Sequence, residues 1–319
     1  MMNETNQKGE KESNETTETL PLATHSHQSY TLSDAQAYCR RVTRSHYENF
    51  TVASWLLPRR LRAHFYPIYA YCRGADDLAD EGHTPDQSLR YLDAWEHQLR
   101  ACYDPSGSSQ ITHPVFVALK PTVDELQIPA QPFLDLLVAF RRDQYQTRFP
   151  TAETMFDYCR YSANPVGRLV LYVGGCHDKS RGRLADSICT GLQLANFWQD
   201  VARDLDRGRI YVPQDICQEH GYDDTMLHRR EYNNAFRIIM AAEVERAESC
   251  LIAGWPLVSQ VTPELRVDVR LFIQGGLEVL RAIRRIQYNV WKQRPKVSRT
   301  TKAWLLVRAW WQQLSDRSD

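Results

Sequence analysis

Glycine is scarce in this chain: there are 14 in 319 residues, about 4% against the ~7% of average usage. That scarcity argues against a turn-rich β fold and against a glycine-cradled nucleotide site. No G-x-G-x-x-G follows a strand pattern, so no NADPH site of the Rossmann type is expected. Net charge is also missing, because 39 basic side chains face 39 acidic ones. Bulk nucleic-acid binding draws on an excess of positive charge, so nucleic acid is not an expected partner. There is no apolar run of membrane-spanning length and no apolar secretory core near the start. The expected location is cytoplasmic, with at most peripheral contact on the inner membrane face. None of the eight cysteines forms a CxxC pair, and no Cys/His cluster has zinc spacing. They read as reduced, mostly buried thiols.

What is present is ordinary globular composition, 43% hydrophobic and 24% charged. The charge is unevenly placed. Residues 1–30 hold Lys8 and Lys11 against Glu4, Glu10, Glu12, Glu15 and Glu18. The rest of the chain is correspondingly mildly basic. The first 30 residues are rich in Asn, Thr, Glu, Ser and Gln, and read as a disordered polar tail. Residues 31–319 read as one all-α domain, because helical periodicity dominates and strand alternation is hard to find. Ser33 with Gln36 predicts a capping box. Thr84-Pro85 with Gln87, and Thr262-Pro263-Glu264, predict further helix starts. The periodic stretches are 33–48, 58–81, 85–102, 112–126, 131–146, 151–174, 181–206, 225–255, 263–291 and 299–315.

Two of these helices carry carboxylates in an otherwise apolar setting. In the first, Asp76 and Asp80 are four residues apart and share a face, with Arg73 and Tyr69 on the turns before them. In the second, Gln193, Asn196, Asp200 and Asp204 form one polar stripe. The flanking residues Ile68, Ala75 and Leu78, and Leu194, Phe197 and Val201, belong in a core. Unpaired carboxylates among them would cost several kcal/mol each. A single DxxxD is commonly a solvated, salt-bridged face. Two such pairs, each sharing its stripe with amides, tyrosine or arginine, favour a buried site instead. Facing carboxylate pairs offer hard oxygen ligands. These suit Mg²⁺, with Mn²⁺ an admissible substitute, completed by substrate phosphate oxygens and water.

The two segments resemble the aspartate-rich motifs of the squalene/phytoene synthase family, the head-to-head trans-prenyltransferases. The specific stretch is Asn196-Phe-Trp-Gln-Asp200-Val-Ala-Arg-Asp204-Leu-Asp-Arg-Gly-Arg209-Ile-Tyr211-Val-Pro213. The likeness covers nearly everything after residue 35. Within the family it is greatest to the hydroxysqualene synthases of bacterial hopanoid pathways. That likeness rests on Ser45-His46-Tyr47-Glu48-Asn49-Phe50, on Tyr158-Cys-Arg-Tyr-Ser162-Ala-Asn164-Pro-Val-Gly167-Arg168, and on Asn196-Phe-Trp-Gln199. The resemblance implies a single isoprenoid-synthase helical domain with a central cavity. It implies that Asp76, Asp80, Asn196, Asp200 and Asp204 hold metal, directly or through water. It further implies that Tyr69, Arg73 and Gln193 meet diphosphate or metal waters, with Asp77 weaker because it is rotated about 100° from Asp76. His46, Asn49, Phe50, Tyr158, Ser162, Asn164 and Gly167 would line the pocket, and Tyr288 and Arg294 would close it.

Two departures bear on the substrate. Condensing relatives carry Ser, Lys and Ser after the histidine, where this chain has Tyr47, Glu48 and Asn49. They also carry arginine where this chain has Gln199. The loss of two cations fits a substrate with one diphosphate, presqualene diphosphate. That substrate would ionise in an apolar cavity, and water held near Tyr158, Tyr161, Ser162 and Asn164 would capture the cation. The expected product is hydroxysqualene, with no NADPH required. Other hopanoid-pathway enzymes are the protein partners that the resemblance admits. A condensing synthase, and a non-enzymatic assembly protein on the same fold, are the alternatives. Residues 281–302 hold eight basic side chains and no acid, and Trp304, Trp310 and Trp311 follow. A solvated basic face and a membrane-docking segment both fit that pattern.

Overall fold

The computed structural model describes residues 30–45, 58–80, 83–107 and 109–296. The polar tail up to residue 29, the stretch 46–57 with His46, Asn49 and Phe50, and the helix expected at 299–315 lie outside the described residues. The described chain is all α-helical. Its one β feature is an isolated bridge between Arg148 and Ile210.

The helices are α1 (Leu32–Ser45), α2 (Arg59–Asp80), α3 (Pro85–Cys102), α4 (Pro114–Glu125), α5 (Gln131–Arg142), α6 (Ala152–Ser162) and α7 (Asn164–Val173). They continue with α8 (Lys179–Asp206), α9 (Gln214–Glu219), α10 (Asp224–His228), α11 (Asn234–Ala253), α12 (Leu257–Gln260) and α13 (Pro263–Arg285). The capping box at Thr84 forms as expected: its hydroxyl accepts from the Gln87 N–H, and the Gln87 side chain accepts from the Thr84 N–H. The first helix starts earlier than Ser33 suggested. Thr31 is the capping residue, and its hydroxyl accepts from the Asp34 N–H at 3.2 Å.

Three expected helices are shorter or broken. The stretch 151–174 divides at Ala163 into α6 and α7, because Pro165, in the first turn of α7, has no N–H to donate to the Tyr161 carbonyl and its ring crowds that carbonyl. The stretch 225–255 divides where Asn233 caps α11 by accepting from the Phe236 N–H. The last long helix stops at Arg285 rather than 291. There Gln287 and Tyr288 take left-handed φ values of 53° and 66° and turn the chain.

Two long helices organise the packing. Helix α2 lies against α1, α3, α4, α5 and α7, and α8 lies against α6, α7, α11, α12 and α13. Gly74 lets α2 approach α3, since a Cβ there would stand 2.7 Å from the Trp95 ring. Arg60 near the start of α2 pairs with Glu264 at the start of α13 at 2.7 Å. Arg209, just past α8, reaches Asp80 at the end of α2. Leu192 of α8 abuts Gly276 of α13. Helices α2, α8 and α13 therefore run in one direction, and α2 and α8 end at one mouth.

Candidate active site

The carboxylates gather where α2 and α8 finish. Asp76, Asp77 and Asp80 occupy the last two turns of α2, whose final turn holds no base. Asp200, Asp204 and Asp206 end α8. A helix C-terminus already carries partial negative charge. Two acidic C-termini at one mouth therefore create a demand for cations.

Arginines meet part of that demand. Arg73 pairs with Asp76 at 3.1 Å and also with Asp77, which is almost fully buried on the neighbouring face. Arg209 donates to Asp80 at 2.8 Å. Arg294 grips Asp200 with both arms of its fork, Nε to Oδ1 at 2.5 Å and Nη2 to Oδ2 at 2.9 Å. The left-handed turn at Gln287–Tyr288 brings Arg294 back over α8. Gln199 holds it there by donating to the Pro295 carbonyl at 2.6 Å and accepting from Arg294 at 3.2 Å.

The remaining negative charge is crowded. Burial, with the charge of Asp80, pushes the Asp76 carboxyl up to about 6 against the pull of Arg73. Burial and the neighbouring Asp200 push Asp204 up to about 7. Asp143, just past α5, is pushed up to about 6 by burial, and accepts from the Tyr158 hydroxyl at 2.8 Å. Among the described residues no three acids, histidines or thiols converge on a single point. The two acid pairs present hard oxygens from separate helices. That donor chemistry fits a Mg²⁺ ion which takes its other ligands from diphosphate and water.

A cavity of about 400 Å³ lies beside the mouth, between α7, α8, α12 and α13. Its polar end is Gln193 and Asn196; its walls are mostly apolar, among them Val166, Val170, Ile188, Leu192, Val269 and Phe272. Gly167 lines it and permits the close approach of α7 to α8, because a Cβ there would stand 2.6 Å from the Cys189 Sγ. Phe149, Tyr158, Phe197 and Tyr211 form an aromatic block next to the acids. Within it Phe197 and Tyr211 stack at 3.7 Å between centroids.

The expected site residues are thus only partly assembled as the sequence suggested. Asp76, Asp80, Asp200, Asp204, Arg73 and Arg294 meet at the mouth, and Ser162, Gly167, Gln193 and Asn196 line the cavity. Tyr69 is half-buried on α2, and burial raises its hydroxyl. Tyr158 is tied to Asp143. Asn164 is turned into the protein, where its amide oxygen accepts from Thr190 at 2.9 Å. Ser162 has a buried hydroxyl without a hydrogen-bond partner among the described residues. Tyr288 lies next to Arg284, which bonds it. Sequence reasoning named no role for Arg209, Tyr211 or Asp143. The first two were visible inside the second motif. Asp143 follows an ordinary amphipathic helix, and only the bonds from Gln144 to the Ala79 and Phe140 carbonyls put it beside Asp80.

The model of the squalene/phytoene synthase family matches residues 43–301. The chain belongs to the squalene/phytoene synthase family. Membership makes it one of a group of prenyltransferase-like enzymes that bind prenyl diphosphates. It is 36% identical over 229 residues to a hydroxysqualene synthase of Sinorhizobium fredii, covering 71% of this chain and 76% of that one. It is 28% identical over 280 residues to a phytoene synthase of Arthrospira platensis, covering 84% and 89%. The crystal structure of squalene synthase HpnC from Alicyclobacillus acidocaldarius superposes with a TM-score of 0.77 at 46% identity, covering 81% of this chain and 96% of that one.

Proposed function

We propose that this chain is a Mg²⁺-dependent hydroxysqualene synthase, converting presqualene diphosphate and water to hydroxysqualene and diphosphate. The observation that carries the reading is the junction of two acidic helix ends, bridged by arginines, with an apolar cavity. Asp76, Asp80, Asp200 and Asp204, with Asn196, are the residues that would hold the ion. An ion held by them would supply positive charge for the leaving diphosphate. Arg73, Arg209 and Arg294 add fork-shaped donors suited to phosphate oxygens. The apolar walls keep bulk water from the carbocation, and Phe272 is the aromatic ring in those walls that can lower its energy. The Ser162 hydroxyl is the better candidate of the expected polar set to position the capturing water, because Asn164 already serves Thr190.

The condensing reading is favoured by one observation. Arg209 and Arg294 put two guanidinium groups at the mouth, which offsets the cations missing at positions 48 and 199. One experiment decides. Purified protein with Mg²⁺ is given presqualene diphosphate or farnesyl diphosphate, with and without NADPH, and the lipid product is identified. Hydroxysqualene from presqualene diphosphate, independent of NADPH, is the expected result. Efficient formation of presqualene diphosphate from farnesyl diphosphate by this chain alone overturns it.

A further inference from the structure

A second charged site lies at the opposite end of α2 from the acids. The last turns of α1 and the first turns of α2 enclose a groove of about 410 Å³. Four arginines line it, Arg40 and Arg44 from α1 and Arg59 and Arg62 from α2, and among the described residues no acid does. Among the described residues none of the four is in an ion pair, and the buried Nε of Arg62 has no hydrogen-bond partner. Four guanidinium groups that no described acid pairs repel one another, and that repulsion is relieved by an anion. Their forks match phosphate.

Two features narrow the phosphate. The groove is not a subsite of the acidic mouth, because Arg62 and Asp76 are 14 positions apart on one helix, roughly 21 Å. Besides Gln36 its other lining residues are Ala63, Tyr66 and Pro67, an apolar and aromatic surface that suits the glycerol region of a phospholipid more than a bare ion. The Arg60–Glu264 pair fixes this end of α2 against the start of α13. Val269 and Phe272, the next turns of α13, wall the hydrocarbon cavity. The groove therefore lies at the end of α2 that meets the start of α13, away from the acidic mouth. No described helix is long and apolar enough to cross a membrane, so contact with a bilayer by these elements would be at its surface.

We propose that the four-arginine groove between α1 and α2 docks the protein on the anionic headgroups of a phospholipid surface, with the end of α2 that meets α13 toward the membrane. The choice of a lipid over other phosphates rests on the prenyl diphosphate reading above; anion binding by the groove does not.

The test is co-sedimentation of the full chain with vesicles of phosphatidylcholine alone or mixed with phosphatidylglycerol. The parent binds the mixed vesicles. The Arg40→Gln/Arg44→Gln/Arg59→Gln variant is expected to bind them roughly hundredfold more weakly. An Arg183→Gln/Arg229→Gln/Arg237→Gln variant with the same change in charge stays near the parent. Melting temperatures check folding, and the single Arg44→Gln, with roughly fivefold weaker binding, serves if the triple variant is unstable. Equal loss in both triple variants overturns the groove. Release of bound protein by inorganic phosphate or diphosphate at constant ionic strength assigns it to a free anion and overturns the lipid. Retention on duplex DNA rather than on vesicles, lost in the groove variant, does the same. Loss of turnover of detergent-dispersed substrate in the groove variant shows that the groove belongs to the active site. Vesicle binding by a parent that turns over no prenyl diphosphate refutes the proposed reaction and leaves docking standing.

Discussion

Arg209 donates to Asp80 at 2.8 Å across 129 residues of chain, and so joins the end of one acidic helix to the loop that follows the other. The pair is partly exposed, at 24% and 42% of the two side chains. Its stabilising contribution is therefore small, and Arg209 sits among the carboxylates Asp80 and Asp143 at the mouth. Arg209→Ala is expected to lower kcat about 10²–10³-fold while shifting stability by less than about 1 kcal/mol. Steady-state kinetics beside a denaturant melt separates the two. Arg209→Lys should recover little, because a single ammonium does not reproduce the fork.

Arg294 and Gln199 act as one clasp on Asp200. Each single change to alanine is expected to reduce kcat/KM by about ten- to a hundredfold. The double variant should cost clearly less than the sum in free energy, because the two side chains share one interaction network. Additive losses would show that Gln199 does not position Arg294.

Asp268 on α13 is only 2% exposed, and both its oxygens lack hydrogen-bond partners among the described residues. Burial pushes its carboxyl up to about 8. The folded state thus favours the neutral acid, whereas the unfolded chain ionises near the ordinary ~3.9. Its contribution to stability is greatest below that ordinary value and declines as pH rises toward about 8. Asp268→Asn is expected to flatten this slope, and to be more stable than the parent at alkaline pH by a few kcal/mol. Urea midpoints measured across the pH range check it. A parallel slope in the variant would remove Asp268 as the cause.

Gly167 is fixed by packing. An added Cβ would stand 2.6 Å from the Cys189 Sγ and 3.3 Å from the Ala185 Cβ. Gly167→Ala should cost about 1–3 kcal/mol. Cys189→Ala in the same chain should return part of that loss, since it removes the nearer atom. A double-mutant cycle in thermal melts reads the coupling.

Much of this protein was determined by the sequence alone. Helical periodicity with scarce glycine specified an all-α chain, since amphipathic stripes at 3.6-residue spacing need only their own helix to be read. The i,i+4 acids of α2 and α8 were equally legible, because spacing along one helix fixes a shared face. The tertiary structure decided what meets across helices. Asp143 reached the mouth through the bonds of Gln144 to the Ala79 and Phe140 carbonyls. Arg294 came back over Asp200 because two left-handed residues ended α13 six positions early. Asn164, expected to hold water, instead met Thr190 once Pro165 had broken the helix. The four arginines of α1 and α2 are unremarkable in sequence and form a groove only when the two helices pack. Local periodicity is set by neighbours in the chain; the balance of charge at the mouth and in the groove depends on contacts between distant residues, which no spacing rule encodes.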